Sequence, residues 1–380
     1  MKKHTHFCIY LVFLANNTFV KRGIIMNTKT VLIISSASIA IAVLLFSLIS
    51  LFTKNENNEI STESSGHSAE VSETSTPIQE TASVHGWVIN RMGYTYLYKD
   101  RGLQQFNGTT RTALRYADII NKITKKIQAE NSYSIIVPTQ AEFTYIPSSL
   151  RKEDNFFCTS QSEAIFTTAT ATENIKDIDI TDLINAHSDE YLYFRTDPNW
   201  TALGAYYGYT AFCKAANLNP IPLESYERIE LKNFLGWFYT ATESKMLLDN
   251  SDTIVYYRTE AEYPCYITVE DDGHKTYTLK YYGTDISAEM GYDVFIGKEK
   301  PLCRFETRSK GGSLLIIGDS SVHAFLPFLM PHYSEILFYN PSCFSNGDDY
   351  RLPEADTVLF MSYATNANNS AYCDKLEGIS

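Results

Sequence analysis

Residues Ser313 to Met330 read SLLIIGDSSVHAFLPFLM, and this stretch decides the fold. An apolar run leads directly into a Gly-Asp-Ser-Ser turn, and an apolar helical segment follows the turn. Two more apolar runs come next, at Glu335 to Tyr339 and at Thr357 to Met361. Short apolar strands that alternate with helices are typical of a mostly parallel sheet with helices on both faces. The sequence therefore predicts an α/β fold.

The chain upstream of this stretch shows the same alternation. Residues 110–130 carry apolar side chains at helical spacing, and a buried-strand pattern follows at Tyr133 to Val137. A further strand is predicted at Ile175 to Ile180 and a further helix at Thr201 to Ala216. Residues 223–305 contain Tyr- and Thr-rich strand patterns such as TIVYYR, CYITVE and TYTLKYYG. We interpret them as a β-rich insertion, and not as a separate domain, within residues 84–380.

An uncharged apolar segment precedes this domain. From Thr30 to Thr53 the chain has 24 residues without a charge. At about 1.5 Å per residue they can cross the roughly 30 Å hydrocarbon core of a bilayer. A cleaved signal peptide is the alternative, which Ser47 and Ser50 leave open, although its apolar core is usually only about 7–15 residues long. We predict an uncleaved transmembrane anchor.

Charge predicts the orientation of this anchor. Residues 1–53 contain five basic residues and no acidic ones. The positive-inside rule therefore places the tail, residues 1–29, in the cytoplasm and the domain outside the cell membrane. Met26 offers a second start immediately before the anchor, and we interpret residues 1–25 as a mis-assigned start. A true basic leader is the alternative.

Residues 54–83 link the anchor to the domain. They are dominated by Ser, Thr, Glu and Asn, a composition that cannot bury a core and predicts disorder. A flexible chain of this length has a root-mean-square reach of roughly 30 Å, which keeps the domain close to the membrane. Beyond residue 53 the chain has 27 basic and 44 acidic residues, so nucleic acid is a poor partner.

Cysteine spacing gives no metal site, and we expect neither a metal nor a cofactor. An even number of cysteines outside the cytoplasm permits disulfides, but buried free thiols are an equal alternative. The six cysteines beyond the anchor are Cys158, Cys213, Cys265, Cys303, Cys343 and Cys373.

The turn Gly318-Asp319-Ser320-Ser321 is the first candidate for chemistry. A serine at a strand-to-helix turn presents its hydroxyl at the carboxyl edge of the sheet. There, backbone N–H groups of the helix start can stabilise an oxyanion. Asp and Ser are also favoured as helix N-caps without any catalytic role, so the tetrapeptide alone leaves both interpretations open.

The second candidate is the segment Tyr193–Tyr207, YFRTDPNWTALGAYY. A polar turn precedes an apolar helix in it. This order is also expected of a simple capped helix start, with Asp197 or Asn199 as N-cap and Trp200 as core anchor.

Family resemblance adds to these patterns. The block FRTDPNWTALGAYYGYTAF closely resembles the signature of the DHHW family of Gram-positive envelope proteins, in which Y-x-R-T-D-H-H-W-T-x-x-G-A-Y is usual. Three further blocks resemble that family in the same order: IIVPTQAEFTYIP, FLGWFYTATES, and LLIIGDSSVHAFLPFLM with the strand after it. The resemblance covers roughly residues 84–365.

The resemblance implies a fold and a mechanism. DHHW proteins are similar to the SGNH-like domains of alginate O-acetylation proteins, which have an α/β three-layer fold and act beside membrane-bound O-acyltransferases. Carried onto this chain, it makes Ser320 the nucleophile, Asp197 the orienting carboxylate and position 199 the general base. The neighbouring motif residues Asp319, Arg195 and Trp200 are expected to bind at the site.

Position 199 is the chief departure from the family, because it is Asn where the second His is expected. An amide cannot take a proton from a hydroxyl near neutral pH, whereas imidazole can. Pro198 replaces the other histidine, and Asn340-Pro341-Ser342 stands where Asp-Pro-Arg is usual. The histidines that could substitute for the missing base are His187, His323 and His332.

Three functions follow as hypotheses. The first is a membrane-anchored envelope protein associated with O-acylation or deacylation of a cell-surface polysaccharide, with impaired catalysis. The second is an active serine acyltransferase or esterase that uses Ser320 with another base. The third is a non-catalytic glycan-binding or scaffold protein.

Overall fold

A computed structural model describes most of the chain beyond the predicted linker. The predicted anchor at residues 30–53 and the linker lie outside the described residues. Within the described part no helix is both long and apolar enough to span a bilayer. The described residues are 85–90, 93–259, 264–271, 274–281, 287–344 and 351–379.

Most of the described strands belong to one sheet. They are β1 His85–Asn90, β2 Gly93–Tyr98, β3 Arg101–Leu103, β4 Asn131–Val137, β5 Lys176–Asp177, β6 Tyr226–Phe234, β7 Asp252–Thr259, β8 Pro264–Asp271, β9 His274–Tyr281, β10 Leu302–Glu306, β11 Ser313–Gly318, β12 Glu335–Tyr339 and β13 Thr357–Tyr363. Strands β5, β4, β13, β11 and β12 lie side by side in that order and pair in parallel. Strands β10, β8 and β9 continue the sheet with antiparallel pairing. The prediction of an α/β fold with a largely parallel sheet is confirmed.

Helices cover both faces of this sheet. The described α-helices of the chain are α1 Thr110–Ile127, α2 Gln140–Phe143, α3 Ser148–Glu153, α4 Gln161–Ala171, α5 Thr181–Ala186, α6 Ala202–Ala216, α7 Trp237–Thr242, α8 Lys245–Asp249, α9 Ser321–Leu329, α10 Ala364–Ala367 and α11 Ser370–Glu377. Successive side chains of a strand point to opposite faces. In β11, Leu314 and Ile316 pack in a core with α6 and α9, and Leu315 and Ile317 pack in a second core with α1, α4 and α11. The result is three layers.

The segment interpreted as an insertion is divided between two sheets. Strands β6 and β7 form a separate antiparallel pair, whereas β8, β9 and β10 are the antiparallel extension of the main sheet. The sequence patterns TIVYYR and CYITVE lie in strands, and so does the described part of TYTLKYYG, which ends at Tyr281. A three-stranded sheet of β1, β2 and β3, which the sequence did not predict, precedes α1.

One strand prediction needs adjustment, and for five of the six cysteines the free-thiol alternative is confirmed. The strand expected at Ile175 to Ile180 is only two residues long, because the chain turns at Ile180 into α5 and takes Ile178 and Ile180 into the core instead. Cysteines 158, 213, 303, 343 and 373 are free thiols, so no disulfide joins any two of these five.

The carboxyl ends of the parallel strands lie at one edge of the sheet. Gly318 at the end of β11 pairs with Met361 of β13, and Ile317 pairs with Tyr339 at the end of β12. In open α/β sheets this edge is where ligands bind. Both sequence candidates for chemistry meet there.

Candidate active site

Ser320 lies in the turn between β11 and α9. The chain passes close to β13 at this point: a Cβ on Gly318 would lie 2.2 Å from the Met361 carbonyl oxygen, so glycine is required. Ser320 occupies the N-cap position of α9, but its side chain accepts no capping hydrogen bond. Its hydroxyl instead donates to Asn199 Oδ1 at 3.0 Å. A simple helix cap therefore does not explain this serine.

A continuous chain of hydrogen bonds joins the two sequence candidates. Beyond the Ser320 contact, Asn199 Nδ2 donates to Asp197 Oδ1 at 2.7 Å, and the Asn199 backbone N–H donates to the same oxygen at 3.0 Å. Ser320 and Asn199 are half-buried, while Asp197 is buried. The structure thus brings together all three residues that the family pattern names, in the order hydroxyl, amide, carboxylate.

The second oxygen of Asp197 is held by the start of α7. The Trp237 backbone N–H donates to Asp197 Oδ2 at 2.9 Å. A Cβ on Gly236 would lie 2.3 Å from Asp197 Cβ, so only glycine permits this approach. The Phe-Leu-Gly block of the sequence is therefore part of the site.

Burial dominates the electrostatics of Asp197. It raises the pKa of the Asp197 carboxyl above its usual value, and hydrogen bonds from Trp237 and Asn199 offset part of the rise. The nearby negative charge of Asp252 raises that pKa further.

Asp252, the first residue of β7, is a component that the sequence reasoning missed. It is fully buried, and its Oδ1 accepts from the Tyr191 hydroxyl and from the Arg195 backbone N–H at 3.0 Å. Its Oδ2 accepts from the Thr196 backbone N–H at 2.7 Å and from Thr196 Oγ1 at 2.5 Å. Asp252 thereby fixes the backbone immediately before Asp197. An aspartate directly before a Tyr-rich strand was the available signal.

Arg195 and Trp200, both expected to bind at the site, have structural contacts. Arg195 Nε donates to Asp252 Oδ1 at 3.3 Å, and its guanidinium lies over the Tyr191 ring. Trp200 is fully buried and donates from Nε1 to the Ser321 carbonyl oxygen at 3.0 Å. Trp200 is therefore a core anchor, as one interpretation of the sequence had it. The N-cap of α6 is Thr201, and not Asp197 or Asn199.

Asp319 accepts hydrogen bonds on both of its carboxylate oxygens. It is buried, with Oδ1 accepting from the Ser321 backbone N–H and Oδ2 from the Tyr363 backbone N–H and Asn366 Nδ2 at 2.7 Å. These bonds join the serine turn to the end of β13. In this structure Asp319 supports the turn, and its expected role in binding stays a prediction.

None of the histidines considered as substitute bases is bonded to Ser320 Oγ. His187 Nδ1 pairs with Glu190 at 2.6 Å, and His332 Nε2 pairs with the Tyr209 hydroxyl at 2.7 Å. His323 is buried, and neither of its ring nitrogens has a hydrogen-bond partner among the described residues. Across the same residues no cluster of three His, Cys, Asp or Glu side chains is arranged to hold a metal ion.

Comparisons with known proteins give a family and several similar folds. A family model described as DHHW protein matches residues 66–339. The fold is similar to the crystal structure of a DHHW family protein from Eubacterium siraeum, with a TM-score of 0.66 and 24% identity over 77% of this chain and 97% of that one. It is also similar to Bacillus cereus PatB1 with a sulfonyl adduct, with a TM-score of 0.59 and 15% identity over 76% and 99% of the two chains.

A more distant likeness is to the O-acetyltransferase domain of AlgJ from Pseudomonas putida. It has a TM-score of 0.40 and 12% identity over 77% of this chain and 99% of that domain. No curated protein sequence matches the chain.

Proposed function

The chain belongs to the DHHW family, and from this premise we propose that it is a membrane-anchored envelope protein associated with O-acylation or deacylation of a cell-surface polysaccharide, with impaired catalysis. The observation that carries the proposal is the hydrogen-bond chain from Ser320 through Asn199 to Asp197. A hydroxyl and a carboxylate are in the positions of a serine triad, and an amide occupies the position between them.

Asn199 reproduces the hydrogen bonds of an imidazole but not its basicity. An imidazole at position 199 would accept from the Ser320 hydroxyl and donate to Asp197, as the carboxamide does through Oδ1 and Nδ2. When the serine oxygen attacks an acyl carbon, the base must also take up the hydroxyl proton, which an amide cannot do near neutral pH. Loss of that base costs on the order of 10⁴–10⁶ in turnover.

The active-enzyme alternative has less support. It requires another base beside Ser320, and His187, His323 and His332 are all bonded elsewhere or buried without contact to the hydroxyl. The glycan-binding or scaffold alternative keeps the same fold without using the serine. We therefore favour a protein derived from an O-acyltransferase or esterase that now works as a pseudoenzyme.

The expected partners follow from the same proposal. The polysaccharide would supply the free sugar hydroxyl that accepts the acyl group, and a membrane-bound O-acyltransferase would supply that acyl group. A single anchor at residues 30–53 would hold the domain outside the cell membrane beside that enzyme.

Restoring the base tests the proposal. The detergent-solubilised full chain is assayed for release of p-nitrophenol from its acetate ester. We expect Asn199→His to raise turnover by at least about 100-fold, because a positioned general base contributes on the order of 10²–10⁴. The added substitution Ser320→Ala should remove the gain.

Asn107→His is the matched control, since it adds a histidine at an exposed position outside the hydrogen-bond chain. Its turnover should equal that of the parent. If Asn199→His gives no gain, or if Ser320→Ala leaves the gain intact, the proposal is wrong and the scaffold alternative takes its place.

A further inference from the structure

Trp237 lies at the end of the hydrogen-bond chain that starts at Ser320. Its backbone N–H donates to Asp197 Oδ2 at 2.9 Å, and a Cβ on Gly236 before it would lie 2.4 Å from the same oxygen. Three hydrogen bonds in series, of 3.0, 2.7 and 2.9 Å, therefore connect the Ser320 hydroxyl to the residue that carries the indole.

The exposure of Trp237 is unusual for its surroundings. Its neighbours Gly236 and Phe238 are buried, and Trp200 on the other side of Asp197 is fully buried. The Trp237 side chain is 36% exposed and meets the Phe238 ring edge-on at 5.8 Å between centroids. A rigid aromatic face beside convergent polar groups is typical of a ligand site.

Charge around this face disfavours an anionic chain. Asp197, Asp252 and Asp319 are all buried at the site, and the nearby cation Arg195 is paired with Asp252. Burial and the negative charges of Asp319, Asp293 and Asp197 raise the pKa of Glu299, which places that carboxyl in the same negative field. Such a field repels a polyanion and tolerates a neutral ligand.

We propose that Trp237 is a stacking platform for a pyranose ring of an uncharged glycan, next to the sugar whose ester lies at Ser320. This inference rests on the proposed function and narrows its substrate class. The apolar C–H face of the sugar covers the exposed indole, and the sugar hydroxyls remain free for polar contacts. A polyuronate of the same length has the ring but carries a carboxylate on every unit.

Calorimetric titration of the detergent-solubilised full chain tests the platform. The probes are chitohexaose, which is uncharged, and a mannuronate hexamer, which is polyanionic. We expect chitohexaose to bind and the mannuronate hexamer to bind at least tenfold more weakly. Trp237→Ala should weaken chitohexaose binding by about tenfold or more, as truncation of a central Trp anchor does. Trp237→Phe, which keeps a smaller aromatic face, should retain part of the affinity.

Phe166→Ala is the matched control, because Phe166 is 67% exposed on α4, a helix that packs in the second core. It should bind chitohexaose as the parent does. The inference is overturned if chitohexaose does not bind, if Trp237→Ala binds it as tightly as the parent, or if the mannuronate hexamer binds equally well. The gain of ester turnover by Asn199→His is measured in a separate assay. The proposed function therefore stands even if the glycan-binding role of Trp237 is disproved.

Discussion

His323 lies in the first turn of α9, directly after the serine turn. Its ring is buried against Tyr292 and Phe338, and neither ring nitrogen has a hydrogen-bond partner among the described residues. Burial lowers the pKa of His323 to about 4, from an ordinary value of 6.5. The folded protein therefore holds this histidine neutral where the unfolded chain would protonate it.

This residue makes stability depend on pH. Between pH 6.5 and about 4 the unfolded chain binds a proton that the folded protein does not, so the free energy of unfolding falls as the pH falls through this window. At pH 4 the uptake of this proton lowers the free energy of unfolding by about 3 kcal/mol. We expect His323→Phe to remove this loss. At pH 7 the substitution should not lower the free energy of unfolding, because it removes two unsatisfied buried nitrogens.

Urea denaturation at pH 7 and pH 4.5 measures the effect. Burial raises the pKa of Asp197 and of Asp319, which acts in the opposite direction, so parent and variant are compared at each pH. Equal pH dependence in both proteins would show that His323 is protonated or solvated in the folded state.

Sequence patterns predicted the residues of the site better than their contacts. Spacing in the serine turn and the family resemblance together named Ser320, Asn199 and Asp197, which the structure joins by hydrogen bonds. Asp252 could not be found in this way, because its partners Arg195 and Thr196 lie more than fifty residues earlier in the chain. A contact of that range depends on the whole fold and leaves no local period in the sequence.

At the scale of elements, β7 is attached to the site through its first residue. Strands β6 and β7 form an antiparallel pair that does not belong to the main sheet, and Asp252 ties the start of β7 to the backbone of Arg195 and Thr196. This strand pair therefore positions Asp197 indirectly. A substitution at Asp252 should therefore lower the free energy of unfolding and disturb the geometry of the hydrogen-bond chain.

Asp252→Asn tests this attachment. One carboxylate oxygen becomes an NH₂ group that faces N–H and O–H donors, and the Arg195 guanidinium loses its charged partner. We expect a loss of about 3 kcal/mol in the free energy of unfolding. Asp249→Asn is the matched control, since Asp249 is exposed and pairs only with Lys245 among the described side chains; it should cost less than about 1 kcal/mol. Equal losses in the two variants would contradict the attachment.

The limits of prediction differ between kinds of element. Strands β11, β12 and β13 were predictable because each contains a continuous apolar run; this run is buried throughout in β11 and β13, whereas Leu337 of β12 is half-buried. Helix α6 was predictable from its spaced small and aromatic residues, and it begins one residue later than expected because Thr201 caps it. The pairing of β8, β9 and β10 was not predictable, since a strand pattern does not say whether the strand joins a separate sheet or the edge of an existing one.

At the scale of the whole molecule, location decides whether the proposed chemistry has a substrate. The basic tail, the uncharged run at residues 30–53 and the acidic linker predict a domain tethered outside the cell membrane. A linker reach of roughly 30 Å would keep Ser320 within range of membrane-bound enzymes and of the inner envelope polysaccharide. A domain in the cytoplasm would meet neither.

Fractionation of cells that express the full chain with a C-terminal epitope tests the tether. We expect the chain in the membrane fraction, resistant to alkaline carbonate and released by detergent, because about 20 apolar residues bind a bilayer far more strongly than any peripheral contact. Deletion of residues 30–53 should move it to the supernatant. Protease added to intact protoplasts should remove the epitope while a cytoplasmic marker survives. Release by carbonate would exclude a spanning anchor, and a protected epitope would invert the topology and leave Ser320 on the wrong side of the membrane for an envelope glycan.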